Sequence, residues 1–354
     1  MMNVLKQLVK DKFSLLALIV LVVIYMALLF ADFLAPYTKD FSDRELSYVP
    51  PSPVFTIDEN GKLSRPYTYN YKREFNPELL ETTYKLDRSH KYYLKFLGKG
   101  VEYKAFGIIP MKRHLITVEN NGRLYLLGGD INGRDVFSRL LFGGRISMTI
   151  GFLALFVLFP IGLIYGGISG YFGGKIDILM MRFAEAVMSI PSFYLLIILA
   201  AILPSNMTSI QRFMLIVVIL ALIGWAGFAR VVRGMVLSIK TQEFVESAKS
   251  IGVSNMGIIL KHILPQTTSY VIVAMTLSVP SYILSESGLS FLGLGIQQPD
   301  ASWGNMLKEA QEYTNILYRP WLLTPGFLIF VAVLSFNLIG DTIRDILDPK
   351  SKMR

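Results

Sequence analysis

The sequence predicts an all-α polytopic membrane protein with six transmembrane helices and a small β-containing insertion. Three observations carry this reading. Apolar residues make up 53% of the 354-residue chain and charged residues only 17%, against about 25% in an ordinary soluble protein. Six apolar stretches approach the roughly 20 residues needed to cross a bilayer. The long segment between the first two has the composition of a folded domain.

The first stretch, Ser14 to Ala31, lies uncharged between Lys12 and Asp32. Lys6, Lys10 and Lys12 ahead of it give it a likeness to a signal peptide. Its apolar core exceeds the roughly 7–15 residues of such a segment, and Ala31-Asp32-Phe33 is a poor cleavage site. It is therefore a span, and residues 1–34 are expected as an N-terminal tail plus the first helix.

Residues 35–143 are expected as an insertion domain. Tyr67, Tyr69, Tyr71, Tyr92, Tyr93 and Tyr103 supply aromatic bulk. Within His114 to Leu127, Asn121-Gly122 separates two strand-like runs, and that dipeptide suits a two-residue type I′ turn. A small β-rich domain is expected; the alternative is a partly ordered loop with one hairpin.

The remaining spans follow in residues 144–342. The second, Ile146 to Gly174, carries Gly162, Gly166, Gly170 and Gly174 four residues apart. That spacing predicts a smooth face for close helix packing. Gly173-Gly174-Lys175 is no phosphate loop, because Ser169 and Ile176 occupy positions where glycine and Ser or Thr are required. The third span covers Ala186 to Pro204, the fourth Phe213 to Phe228, the fifth Thr267 to Leu284 and the sixth Trp321 to Gly340. Residues 343–354 form a tail.

The net charge of +9 falls beside the spans rather than in a nucleic-acid-binding patch. Lysines precede the first span. Arg230, Arg233, Lys240, Lys249 and Lys261 lie between the fourth and fifth, and Arg344, Lys350, Lys352 and Arg354 follow the sixth. An even number of spans separates these groups, which places them together in the cytoplasm. The insertion domain then faces outside.

The segment 230–265 is amphipathic. Phe244, Ala248 and Ile251 are expected on one helix face, opposite Glu243, Glu246, Lys249 and Ser250. Gly252 stops that helix and Ser254 caps a second. Met256, Ile259, Leu260 and Ile263 form its apolar stripe, and Pro265 ends it. On physics alone, both headgroup binding and docking of a soluble partner remain open for this knob.

Catalysis is excluded as far as residue types allow. With no cysteine, three histidines (His90, His114, His262) and no metal-ligand spacing, no cofactor or metal is expected. Glu286 past the fifth span and Glu185 at the third are costly near hydrocarbon. Glu286 either lines a path or subunit interface, or makes a hydrogen bond to Ser281 or Ser290, or is solvated. Asp341, Arg344 and Asp345 are expected as a solvated ion-pair cluster.

Glu246-Ser-Ala248, Gly252 and His262-Ile-Leu-Pro265 resemble the EAA loop of ABC-importer permeases, with Ser247 in place of the usual alanine. The run from Gly128 to Arg139 resembles the Gly-Thr-Asp…Gly-Arg-Asp segment of dipeptide and oligopeptide permeases, with Gly129 in place of threonine. Ser169 to Gly174, Arg230 to Gly234, Ser287 to Gly295, Ser302-Trp-Gly304, Phe336 to Asp345 and Asp348-Pro349 match the same group in order. The whole is similar to a C-type permease subunit. Its enlarged outer loop is similar to that of the microcin C and peptide importer branch.

This resemblance implies the type I ABC-importer permease fold and a role in peptide uptake. It implies a B-type permease partner, two ATPase subunits that hydrolyse the ATP, and an extracytoplasmic solute-binding protein. It also implies that Glu243, Glu246, Ser247, Ala248, Gly252, Ile263, Leu264 and Pro265 form the ATPase-docking coupling loop. Alternatives are the same role for nickel or another small solute, or an ion-coupled secondary transporter. The latter needs intramembrane ion ligands, for which Glu286 alone is thin support.

Overall fold

The computed structural model describes residues 7–58, 61–76, 81–105, 108–119, 122–204 and 207–347. Lys6, Asn121, Asp348, Pro349, Lys350, Lys352 and Arg354, which the sequence reading used, lie outside them. The chain divides into two compact units. One comprises Val22–Ser147 and Ser290–Ile329, the other Met1–Leu21, Met148–Leu289 and Phe330–Arg354.

Helix α1 spans Lys12–Leu29. Asp11 caps it, accepting hydrogen bonds from the Ser14 backbone N–H at 2.9 Å and hydroxyl at 2.7 Å. Those bonds hold the exposed Asp11 carboxyl below its ordinary range. An acceptor at this position satisfies a donor that the first turn leaves open.

The β region has β1 (Phe55–Ile57), β2 (Leu63–Asn76), β3 (Glu81–Phe96), β4 (Lys99–Ala105), β5 (Ile109–Arg113) and β6 (Ile116–Val118). Strands β1-β2-β3-β6 form one antiparallel sheet, and β4-β5 a separate hairpin. Tyr67 and Tyr69 are buried and pack edge-on, with ring centroids 5.6 Å apart. Leu46, Val49 and Tyr125 form a core with Phe41, Tyr71 and Tyr84 around it.

The expected hairpin around Asn121-Gly122 is corrected. β6 pairs with β3, and among the described residues Gly122 to Leu127 form no strand. Leu124 and Tyr125 are instead buried in irregular chain. Their backbone N–H groups are satisfied by the Tyr37 hydroxyl at 2.8 Å and the Ser52 hydroxyl at 3.0 Å. Side-chain acceptors replace a strand ladder there.

The helices of eight or more residues that follow are α2 (Val136–Phe172), α3 (Gly174–Met188), α4 (Ser192–Ala201), α5 (Ser209–Ile239), α6 (Glu243–Ser250), α7 (Thr268–Phe291) and α8 (Thr324–Leu347). Among the described residues five helices are long and apolar enough to span a membrane, or six if α3 and α4 count together as one. The third span, expected from Ala186 to Pro204, is divided between the end of α3 and α4. It bends by 74° between α3 and α4. Pro191 forces the residue before it away from helical backbone.

The glycine face of α2 is close-packed at three of its four expected positions. A Cβ on Gly162 would meet Phe228, one on Gly166 the carbonyl oxygen of Ala229 at 2.4 Å, and one on Gly170 that of Arg233 at 2.8 Å. Gly174 is the exception. Its φ of +53° begins α3 in open space, so it ends the seam.

Candidate coupling loop

Helix α6 carries the predicted loop. Glu243 and Glu246 sit in its first turn and Lys249 in its last, complementing the helix dipole at both ends. Val245 and Ala248 are its buried residues, while Phe244 is at the exposed boundary and Ile251 is 81% exposed. The expected face of Phe244, Ala248 and Ile251 is thus corrected to Val245 and Ala248, three residues apart. Burial follows the side that meets the helices, and the larger side chains are left outside.

Gly252 ends α6 with φ of +82°. Its N–H donates to the Lys249 carbonyl at 3.0 Å, and the Val253 N–H donates to the Ala248 carbonyl at 3.1 Å. This double bond pattern is a Schellman cap, which favours glycine because its left-handed residue pays no Cβ penalty. Ser254 then accepts the Gly257 N–H at 3.2 Å and starts the next helical segment.

That segment winds as a wide π-turn over Ile258–Ile263. A π-turn bonds five residues back rather than four, so Ile258, Ile259 and Ile263 are buried together. Met256 and Leu260, expected in the stripe with Ile259 and Ile263, are exposed for the same reason. Leu264 is half-buried and Pro265 exposed. Pro265 lies in the first turn of the short helix Leu264–Thr267, which leads directly into α7. It does not break the helix, because a first-turn proline loses no hydrogen bond.

The loop is mounted on α2. A Cβ on Gly167 would meet Ile259 at 3.1 Å and Leu264 at 3.4 Å, so these two side chains rest against a bare stretch of that helix. Tyr171 donates to Asn255 at 3.0 Å, and the Lys249 ammonium lies 5.5 Å from the Tyr171 ring centre. Lys240 donates to the carbonyls of Gly170 at 2.8 Å and Tyr171 at 3.3 Å. It caps the end of α2, where carbonyls lack helix partners.

An ion pair ties the same corner together. The Arg233 guanidinium donates through Nε to Asp177 at 2.8 Å and through a second nitrogen to its other oxygen, while Ser169 donates to the first. Ser169 and Arg233 fall in stretches matched to the family pattern and Asp177 just beyond one, but nothing in the sequence joins the three. Charged residues at the ends of apolar runs were the available signal.

The outward surface of the loop combines Glu243, Glu246, Phe244, Ile251, Met256 and Leu260. The Ser247 and Ser250 hydroxyls bond to the carbonyls of Glu243 and Glu246, which turns them away from solvent partners. This surface can bind a partner by apolar contact rimmed with charge; it holds no bond-making constellation.

Glu286 lies within α7 and is fully buried, one residue from Ser287, whose hydroxyl is 3.5 Å from its carboxylate. The solvated placement considered for it is thereby corrected. Helix α7 extends beyond the expected end at Leu284 and takes Glu286 inside.

The Gly128–Arg139 run forms a buried polar hub. Asp130 accepts from the Arg134 backbone N–H at 3.0 Å and from its guanidinium at 2.6 Å. Arg139 donates to the Pro299 carbonyl at 3.1 Å, and Glu309 accepts the Ile131 N–H at 3.0 Å. Burial pushes the Glu309 carboxyl up to about 7, and the charge of Asp130 adds to the shift. Asp135 caps α2 through Ser138, at 2.8 Å to its N–H and 2.6 Å to its hydroxyl. Burial raises the Asp135 carboxyl to about 7 as well, against the pull of those bonds.

A family model described as binding-protein-dependent transport system inner membrane component matches residues 159–353, more than half the chain. The chain belongs to this family. A second model, the N-terminal TM domain of oligopeptide transport permease C, matches residues 1–51. The oligopeptide transport system permease protein OppC of Haemophilus influenzae is 45% identical over 229 residues, 64% of this chain and 71% of that protein. The dipeptide transport system permease protein DppC of Bacillus subtilis is 44% identical over 63% of this chain and 68% of its own length. The glutathione transport system permease protein GsiD of Escherichia coli is 42% identical, with 66% and 75% covered. For this inner-membrane transport family, α6 and the isoleucine turn both lie inside the matched region.

Proposed function

We propose that the chain is the C-type permease subunit of an ATP-driven importer of di- and oligopeptides. It forms the translocation path with a second permease subunit and receives peptide from an extracytoplasmic solute-binding protein. Two ATPase subunits supply the energy and dock on the loop from Glu243 to Pro265. Both termini and that loop face the cytoplasm, as the basic residues favour. Glu286, fully buried within the chain itself, supports the helix packing from inside rather than presenting a surface to the path or to the second permease.

The observation that carries this reading is the mounting of the loop. An exposed apolar rim stands on a glycine-capped helix, while Ile258, Ile259 and Ile263 are buried and Ile259 abuts α2 at Gly167. Movement of a docked ATPase therefore reaches a membrane helix through close-packed side chains, which transmit displacement because interiors are dense. Relatives named for oligopeptide and dipeptide transport support the substrate class.

The test is Gly252→Val. Nothing lies within 4 Å of a Cβ there, so the cost is confined to left-handed backbone, about 1–2 kcal/mol. The α6 cap should distort and peptide uptake should fall. Unchanged ATPase association together with unchanged uptake would contradict the coupling role.

A further inference from the structure

The β4-β5 hairpin carries exposed apolar residues and lies beside the end of the first span. Ile108 is 81% exposed, and Val101, Ile109 and Met111 are also exposed. The register pairs Tyr103 with Met111 and Lys104 with Pro110. Alternation along a strand therefore puts Tyr103, Ile109 and Met111 on one face and Glu102, Lys104 and Lys112 on the other. Glu102 and Lys112 form an ion pair. The hairpin is amphipathic, with one apolar and one charged face.

Its base is pinned to the end of the first span. The Leu115 N–H donates to the Phe33 carbonyl at 2.8 Å. The ring nitrogens of buried His114 lie 2.8 Å from the Ala35 carbonyl and 2.9 Å from that of Val101. From this anchor the hairpin extends over α1. Tyr103 and Met111 line a groove of about 560 Å³ with Met26, Leu29, Phe30, Phe33 and other residues of the span end. Met26, Leu29 and Phe30 are 48%, 49% and 40% exposed. Met26 lies a turn inside a helix made for hydrocarbon, so the groove floor is continuous with the lipid-facing surface of that helix.

We infer that the β4-β5 hairpin dips into the lipid leaflet that α1 leaves at Leu29. Ile108, Ile109 and Met111 enter the acyl region, lipid fills the groove against α1, and Lys104 stays at headgroup level on the charged face. A tyrosine and a lysine, Tyr103 and Lys104, beside apolar Ile108 and Ile109 suit that interface. The insertion thereby gains a second, membrane-borne foothold beside its covalent link to α1.

The chain has no cysteine, so single substitutions take a nitroxide label at one place. Ile108→Cys, Ile109→Cys and Lys104→Cys are labelled in the full chain, reconstituted in phospholipid nanodiscs. Collision with oxygen reports lipid, and collision with a water-soluble nickel chelate reports solvent. The expected result is an oxygen-to-nickel ratio several-fold higher at 108 and 109 than at 104. Nickel-dominated collision at all three sites would overturn the inference. So would shielding from both reagents at 108 and 109 in the assembled complex but not in the isolated chain, which would place a protein partner there. None of these readouts uses transport, so loss of the uptake assignment would leave the inference standing, and the reverse also holds.

Discussion

Gly166→Ala adds one methyl group at the tightest point between α2 and α5. Its Cβ would stand 2.4 Å from the Ala229 carbonyl oxygen, 2.8 Å from the Val232 Cβ and 3.0 Å from the Arg233 nitrogen. Carbon and carbonyl oxygen come no closer than about 3.3 Å, so the helices must part by about 0.9 Å. Two of the three obstacles are backbone atoms, which cannot rotate away. Overpacking of this kind costs about 1–3 kcal/mol, and a gap of that width also weakens dispersion on either side. Alanine favours helix over glycine by about 1 kcal/mol, leaving a net loss of about 2 kcal/mol at the upper end. The matched control is Gly234→Ala on α5, where nothing lies within 4 Å and only the helix gain applies. Thermal unfolding of the two purified variants in detergent measures the difference. If Gly166→Ala is as stable as Gly234→Ala, which carries the same helix gain without the overpacking, the close-packed seam is refuted.

Other expectations concern charge and the mounting of the loop. Arg233→Met strands Asp177 among helix ends and should cost about 3 kcal/mol, at the low end for a broken buried pair because the guanidinium is partly exposed; adding Asp177→Asn should recover much of it in the same unfolding assay. Glu309 titrates near 7 in the fold against an ordinary value of 4.5, so the folded state holds a proton that the unfolded chain releases. That contribution is present below pH 4.5 and is lost as pH rises through 7. Glu309→Gln should therefore flatten the fall in stability across this window, and an unchanged slope would count against it. Ile259→Ala removes a fully buried side chain against Gly167 and should cost about 2–5 kcal/mol, lowering uptake more than ATPase association.

Much of the fold was legible because lipid imposes a length and polarity that local composition reveals. The stretch from Ser14 to Ala31 became α1 to within two residues at either end, and Gly252 announced its cap because only a residue without Cβ fits there cheaply. Burial within the loop was less legible. Val245 rather than Phe244 turns inward, and the π-turn brings Ile258 to the core in place of Met256 and Leu260. A 3.6-residue period cannot register a local change of pitch. Pro191 was visible in the third span, yet the size of a bend depends on packing that no local pattern holds. Arg123 to Leu127 had strand-like alternation, but Ser52 and Tyr37 took its backbone bonds from positions remote in sequence. The clamp of Ser169, Asp177 and Arg233 likewise joins residues whose spacing in the chain says nothing of their contact.

ATPase docking on the exposed rim of the loop, as proposed, can be tested directly. Phe244→Asp with Ile251→Asp places two charges on that rim without touching the buried Val245, Ala248 or isoleucines. Co-elution of the ATPase subunits with the full permease pair in detergent measures the contact. At least a tenfold loss of association is expected, about 1.4 kcal/mol, with the permease itself still folded. Phe75→Asp on β2 is the control and should change nothing. Undiminished co-elution of the ATPases with the double variant would rule out docking on this rim.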